Sequence, residues 1–117
     1  MKKTYTTNGG TYEGESRRWV GIRQGRGVMT YPDGRFYIGF FENDLKHGKG
    51  VCKDEDGSVY DGEWREHKKH GKGKFIYPSG DIYKGEFKND LPNGRGKYVK
   101  ITGEVIVGLF KEGSFVS

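Results

Sequence analysis

One cysteine, Cys52, cannot close an intrachain disulfide, and MKKTYTTNGG offers no apolar core for a secretory leader, so a reducing, cytoplasmic setting is expected. No apolar run approaches the roughly eighteen residues of a membrane span, which limits any membrane contact to a peripheral one. Catalytic chemistry is equally thin. Ser16, Ser58, Ser79, Ser114 and Ser117 fall in turns, loops or tails with no consistent histidine partner, and GKGKF lacks the spacing and the Ser/Thr of a phosphate-binding loop. His47 and His70 repeat one position in HGKG, and His67 with His70 makes a weak chelating pair at most. No enzyme activity, cofactor or metal is therefore expected. Hydrophobic residues are only 32% of the 117, mean hydropathy is −0.90 and charged residues are another 32%, a balance that by itself points to disorder.

What is present argues the other way. Aromatic residues make up 15% of the chain, a supply of large contact areas that disordered segments lack, and the 21 glycines are spaced rather than clustered. A net charge of +5 permits acidic partners without requiring them. Length alone suggests one unit.

The spacing is a repeat. Tyr37, Tyr60 and Tyr83 recur every 23 residues, and so do Gly39, Gly62, Gly85 and Gly108. Glycine pairs keep the same step at 25 and 27, 48 and 50, 71 and 73, 94 and 96, while Gly34, Gly57, Gly80 and Gly103 mark a third position. Full copies are placed near residues 9–33, 34–56, 57–79 and 80–102, with a partial copy at 103–117, as one array over 1–117. The first copy carries an insertion in SRRWVGIRQ.

Within a copy, FYIGFF and GKGVCK read as strands joined by a polar loop, ENDLKH, and followed by a tight turn; YPDG and YPSG put proline then glycine where such reversals want them. Alternation places Tyr60, Gly62 and Trp64 on one side, with Gly71, Gly73 and Phe75. A six-residue loop sets Trp64 across from Gly71 and Gly62 across from Gly73, so that rings lie over bare backbone of a neighbouring strand. The other face carries Asp61, Glu63, Lys72 and Lys74 with a thin aliphatic line, and a basic row of Arg26, Lys49, Lys72 and Arg95 near Glu15, Glu63 and Glu86. The fold class expected is all-β, an elongated single-layer antiparallel meander of about nine or ten strands, about 45 Å long at a strand spacing of about 4.8 Å.

The segments YIGFFENDLKHGKG, YDGEWREHKKHGKG and YKGEFKNDLPNGRG, with YEGESRRWVGIRQGRG bearing the insertion, resemble the MORN repeat (membrane occupation and recognition nexus). IVGLFKEGSFVS is a truncated copy, with Ile106 where tyrosine belongs, and KTYTTNG reads as the second strand of a unit whose start is missing. The resemblance implies one hairpin per repeat with an aromatic groove along one face, and a role in scaffolds, cytoskeletal structures or membrane junctions.

The leading expectation is a non-catalytic scaffold whose groove, lined by Tyr37, Phe41, Tyr60, Trp64, Phe75, Tyr83, Phe87 and Tyr98, presents exposed rings to a peptide or helix of a protein partner. The alternative, drawn from the family, is peripheral binding to anionic phospholipids through Arg17, Arg18, Lys68, Lys69, Lys72 and Lys74. Nucleic acid is disfavoured, because basic and acidic residues alternate instead of forming a stripe. The last strand, EVIVGLF, is apolar on both faces, so Val105, Val107 and Leu109 form a candidate homodimer edge unless the tail at Phe115 and Val116 covers it.

Overall fold

Glycine-ended turns and short aromatic runs produce, among the described residues, eleven strands in a single antiparallel sheet, each hydrogen-bonded to the next in chain order. The computed structural model describes residues 2–7, 9–16 and 22–117, and its longest dimension is 49 Å against 25 and 16 Å. The strands are β1 (Lys2–Thr7), β2 (Gly10–Ser16), β3 (Arg23–Thr30), β4 (Phe36–Glu42), β5 (Leu45–Lys53), β6 (Val59–Arg65), β7 (Lys68–Ile76), β8 (Ile82–Lys88), β9 (Leu91–Val99), β10 (Val105–Lys111) and β11 (Ser114–Phe115). The all-β meander is as expected. Its strand number is higher because the flanking segments KKTYTT and SF also pair, as β1 and β11.

Two kinds of reversal alternate. Between copies, Gly34 donates its N–H to the Tyr31 carbonyl at 3.0 Å and Tyr31 donates to Arg35 at 2.9 Å; Gly57, Gly80 and Gly103 repeat that geometry, all with positive φ. Within copies the connection is two residues long: Asn43–Asp44, Glu66–His67 and Asn89–Asp90, every one with φ between 47° and 75°. That is the backbone of a primed hairpin turn, which matches the twist of its flanking strands. The six-residue loop expected from sequence is thus mostly strand. Beyond the turn, β7 spends four residues from Lys69 to Gly73 while β6 spends two from Trp64 to Gly62, a bulge at which Gly71 takes φ +79°. Gly62 does face Gly73, but Trp64 faces Lys69 within its hairpin and Gly48 of β5 on the other side, which corrects the expected pairing with Gly71.

The bulge also reassigns the acids. Glu15, Glu63 and Glu86 accept the backbone N–H groups of Arg26, Lys72 and Arg95 at 2.7, 2.6 and 2.7 Å, so they cap bulged backbone instead of pairing with the basic row. In the second copy Phe40 takes that position, with its Cβ beside Gly48.

The core is one face of one sheet. Tyr12, Tyr37, Tyr60 and Tyr83 are buried to 2% exposure or less, each ring lying on the glycine of the adjacent strand. Their hydroxyls donate to the carbonyls of Glu15, Phe40, Glu63 and Glu86, three residues further on. Burial raises the hydroxyl pKa of Tyr37, Tyr60 and Tyr83, the last to about 12. Each copy touches only its neighbours, so stability comes from a sum of adjacent interfaces.

Candidate interaction surfaces

The aromatic face is a continuous column. From Tyr12 through Phe41, Tyr37, Trp64, Tyr60, Phe87, Tyr83 and Phe110 to Phe115, successive ring centroids stand 4.9–5.5 Å apart with planes crossed at 67–89°. Edge-to-face contacts of this kind contribute about 0.5–1.5 kcal/mol each beyond area burial. The consequence for the expected groove is direct. Tyr37, Phe41, Tyr60, Trp64, Tyr83 and Phe87 are brought together but buried against one another, not displayed as an open row. Only Phe75 and Tyr98 remain half-buried, and Tyr77, which the sequence reading omitted, joins them: Phe75 and Tyr77 lie 4.7 Å apart at 80°, Tyr77 and Tyr98 5.6 Å apart at 46°. Tyr98 donates its hydroxyl to Asp81 at 2.6 Å, and that bond, with some burial, pushes its pKa up to about 12.

Cations roof the column. Arg23 lies 4.8 Å over Phe41, Lys46 lies 4.8 Å over Trp64, and Lys69 lies 5.2 Å over Phe75. These three share one repeat position, a signal legible in the 23-residue step; the fourth occupant is Pro92. Each is zipped to the turn of the following hairpin. Arg23 donates its backbone N–H to Asp44 Oδ1 at 3.0 Å and receives the Asp44 N–H at 2.9 Å, and Lys69 and Asp90 do the same at 2.9 and 3.0 Å.

The family model for the MORN repeat matches residues 21–34, 37–59, 60–82 and 83–105. The chain belongs to the MORN repeat family. MORN repeats are non-enzymatic binding repeats that contact proteins or membrane lipids. No curated protein matches the chain.

One MORN turn departs from its siblings. Where Asp44 and Asp90 supply carboxylates, His67 accepts the Lys46 N–H on Nδ1 at 3.0 Å, which requires a neutral ring, and leaves the Lys46 ammonium with aromatic rings instead of an acid. Burial and the charges of Lys46 and Arg23 hold the His67 pKa below its ordinary 6.5, outweighing Asp44 and Asp90. Burial likewise lowers the Lys46 pKa. A base with a depressed folded pKa adds stability that is complete above about pH 6.5 and is lost as pH falls through the folded value, because the unfolded chain takes up the proton first. His67→Asp is expected to abolish the part of the acid-side loss of thermal stability between about pH 7.5 and 5 that this ring causes, and to raise the plateau by up to about 1 kcal/mol by giving Lys46 a partner. Unfolding curves at both pH values check this; a variant as pH-sensitive as the parent overturns it.

The remaining sequence candidates are scattered. Arg17 and Arg18 lie outside the described residues. Lys68 stands at a hairpin tip opposite Arg65, Lys69 sits on the aromatic side, and Lys72 and Lys74 project from the opposite face. Val105, Val107 and Leu109 are 48%, 68% and 42% exposed on β10. The tail covers the far end of that strand, where β11 pairs with Phe110 and Lys111 and Ser117 accepts the Leu109 N–H at 3.0 Å. Cys52 is a buried thiol whose pKa is raised by burial. Among the described residues, no group of three His, Cys, Asp or Glu side chains gathers as a metal site, and no helix is long and apolar enough to cross a membrane.

Proposed function

We propose that the chain is a non-catalytic protein-interaction module that docks a peptide or helix on its aromatic side, at the cluster of Phe75, Tyr77 and Tyr98. One observation carries this reading. Met29, Cys52, Phe75 and Tyr98 occupy one repeat position; the first two are buried at 1% and 3%, whereas the last two are half-buried rings, so at this position the third and fourth copies carry aromatic surface within a ligand's reach where the first and second carry none. Rigid rings already held by neighbours lose little entropy on binding, which is why Tyr anchors dominate interface energetics. The anionic-phospholipid alternative has less geometric support, because its cations Lys68, Lys69, Lys72 and Lys74 are divided between two faces.

The test uses a variant that spares the column. Tyr77→Ala, checked for folding by circular dichroism, should bind a partner isolated with the wild-type chain about tenfold more weakly in calorimetry. Tyr31→Ala, at the equivalent turn two copies earlier, should bind as wild type. Undiminished affinity in folded Tyr77→Ala rules the cluster out.

A further inference from the structure

The face opposite the rings holds a feature that the fold does not require. Lys74 of β7, Lys84 of β8 and Lys97 of β9 stand directly opposite one another, so Lys84 has a like charge on each side. Lys72 and Arg95 flank this row, and the half-buried Gly62, Gly73 and Gly85 help line a trough of about 820 Å³ between them. All five cations are exposed, and among the described residues none forms an ion pair. One acid, Asp61, stands opposite Lys74 at the end of the row without an ion pair among the described residues, while Glu63 and Glu86 are engaged with backbone N–H groups of Lys72 and Arg95, so the middle of the row, Lys84 and Lys97, has no acid directly across from it. Like charges placed directly opposite in a sheet are destabilising. Nor does the repeat demand lysine there, since the same row is Val28, Ile38, Val51 and Asp61 in the earlier copies.

We propose that this row is a docking site for an acidic helix of a protein partner. Adjacent strands are about 4.8 Å apart, so the three ammonium groups step along the long axis of the sheet by that amount. Carboxylates three or four residues apart on a helix step by about 4.5–6 Å, whereas same-face side chains of an extended strand step by about 6.7 Å and fall out of phase by the third lysine. The row ends in apolar residues on both sides, Val51 next to Asp61 and the 68% exposed Val107 next to Lys97. Five strand steps separate those ends, about 24 Å, the length of a helix of about sixteen residues. The fitting occupant is therefore a short helix, acidic in its middle and apolar at both ends, held by charges whose mutual repulsion it relieves.

The experiment titrates the full chain with an alanine-based helical peptide of about eighteen residues, glutamate at i, i+4 and i+7 and leucine near each end. Its glutamine analogue and vesicles of phosphatidylcholine and phosphatidylserine in equal parts are tested alongside. Wild type should bind the glutamate peptide in a salt-dependent way and not the analogue. Lys84→Glu should lose binding by about tenfold or more, while Lys111→Glu, with the same change in net charge away from the trough, should bind as wild type. Lys84→Glu should unfold no earlier than the parent, because it replaces repulsion with attraction; Lys84→Gln is the second variant if it does not fold. Equal losses in Lys84→Glu and Lys111→Glu would show a net-charge effect and overturn the site. Lys84-dependent binding to vesicles without binding to the peptide would make the occupant a membrane surface and overturn the helix.

Discussion

Trp64→Ala is expected to lower the free energy of unfolding by about 4 kcal/mol, a large part of the roughly 5–15 kcal/mol a domain has. The indole is 5% exposed, stands edge-on to Tyr37 at 5.5 Å and to Tyr60 at 5.0 Å, and donates Nε1–H to the Gly50 carbonyl at 3.0 Å. Truncation removes both ring contacts, leaves that carbonyl without its side-chain donor and takes away the ring on which Lys46 rests at 4.8 Å. A two-layer protein could partly collapse into such a gap, but a single sheet has no second layer to move, so water enters the middle of the column. Trp64→Phe keeps most of the ring and loses the N–H, and is expected to cost only about 1–2 kcal/mol. Urea unfolding followed by far-ultraviolet circular dichroism measures both. A loss below about 1 kcal/mol for Trp64→Ala would mean that the column is not the source of stability. For the same reason Trp64→Ala is a poor test of partner binding, since it loosens the packing of the surface it is meant to probe.

Gly73→Ala should be nearly as damaging, about 3 kcal/mol, although one methyl group is added and the φ of Gly73 lies outside the left-handed region. In an open strand the change from glycine to alanine stabilises by up to about 1 kcal/mol, through the unfolded chain. Here the sign is reversed by contact. A Cβ on Gly73 would stand 2.5 Å from Cε1 of Tyr60 and closer still to its hydroxyl. That ring cannot retreat: it is fully buried, bonded through its hydroxyl to the Glu63 carbonyl at 2.7 Å and wedged between Trp64 and Phe87, each at 5.0 Å. Two comparisons isolate the cause. Gly57→Ala meets nothing within 4 Å but sits at φ +91°, so it should cost only the backbone strain of about 1–2 kcal/mol. Introducing Gly73→Ala into Tyr60→Leu should cost far less than into the wild type, since the colliding ring is gone. Additive losses in that cycle would show that the ring is not what excludes the methyl group.

Much of this architecture was legible in the residues. The 23-residue step, the alternation around Gly62 and Gly73, and the idea that glycine recurs because a ring lies on it all follow from local pattern, and Gly62 indeed pairs with Gly73 beneath Tyr60. The hairpin tips were misjudged because Glu66 and His67 are not residues that advertise a two-residue primed turn, yet their φ values of 47° and 75° match those of Asn43–Asp44. Reading those tips as loops hid Lys46 and Lys69 as strand residues over rings, and with them the role of His67.

The amino-acid sequence by itself determined a repeating aromatic and glycine meander, because strand alternation and turn chemistry act over a few residues and survive in any one copy. Only the tertiary structure decided that six of the eight expected groove residues are core, leaving Phe75 and Tyr98 half-buried beside Tyr77, and that Lys74, Lys84 and Lys97 fall in one line. Both outcomes depend on register across strands from different copies. Bulges and positive-φ turns set that register through the backbone, and exposure follows from what the neighbouring copy covers.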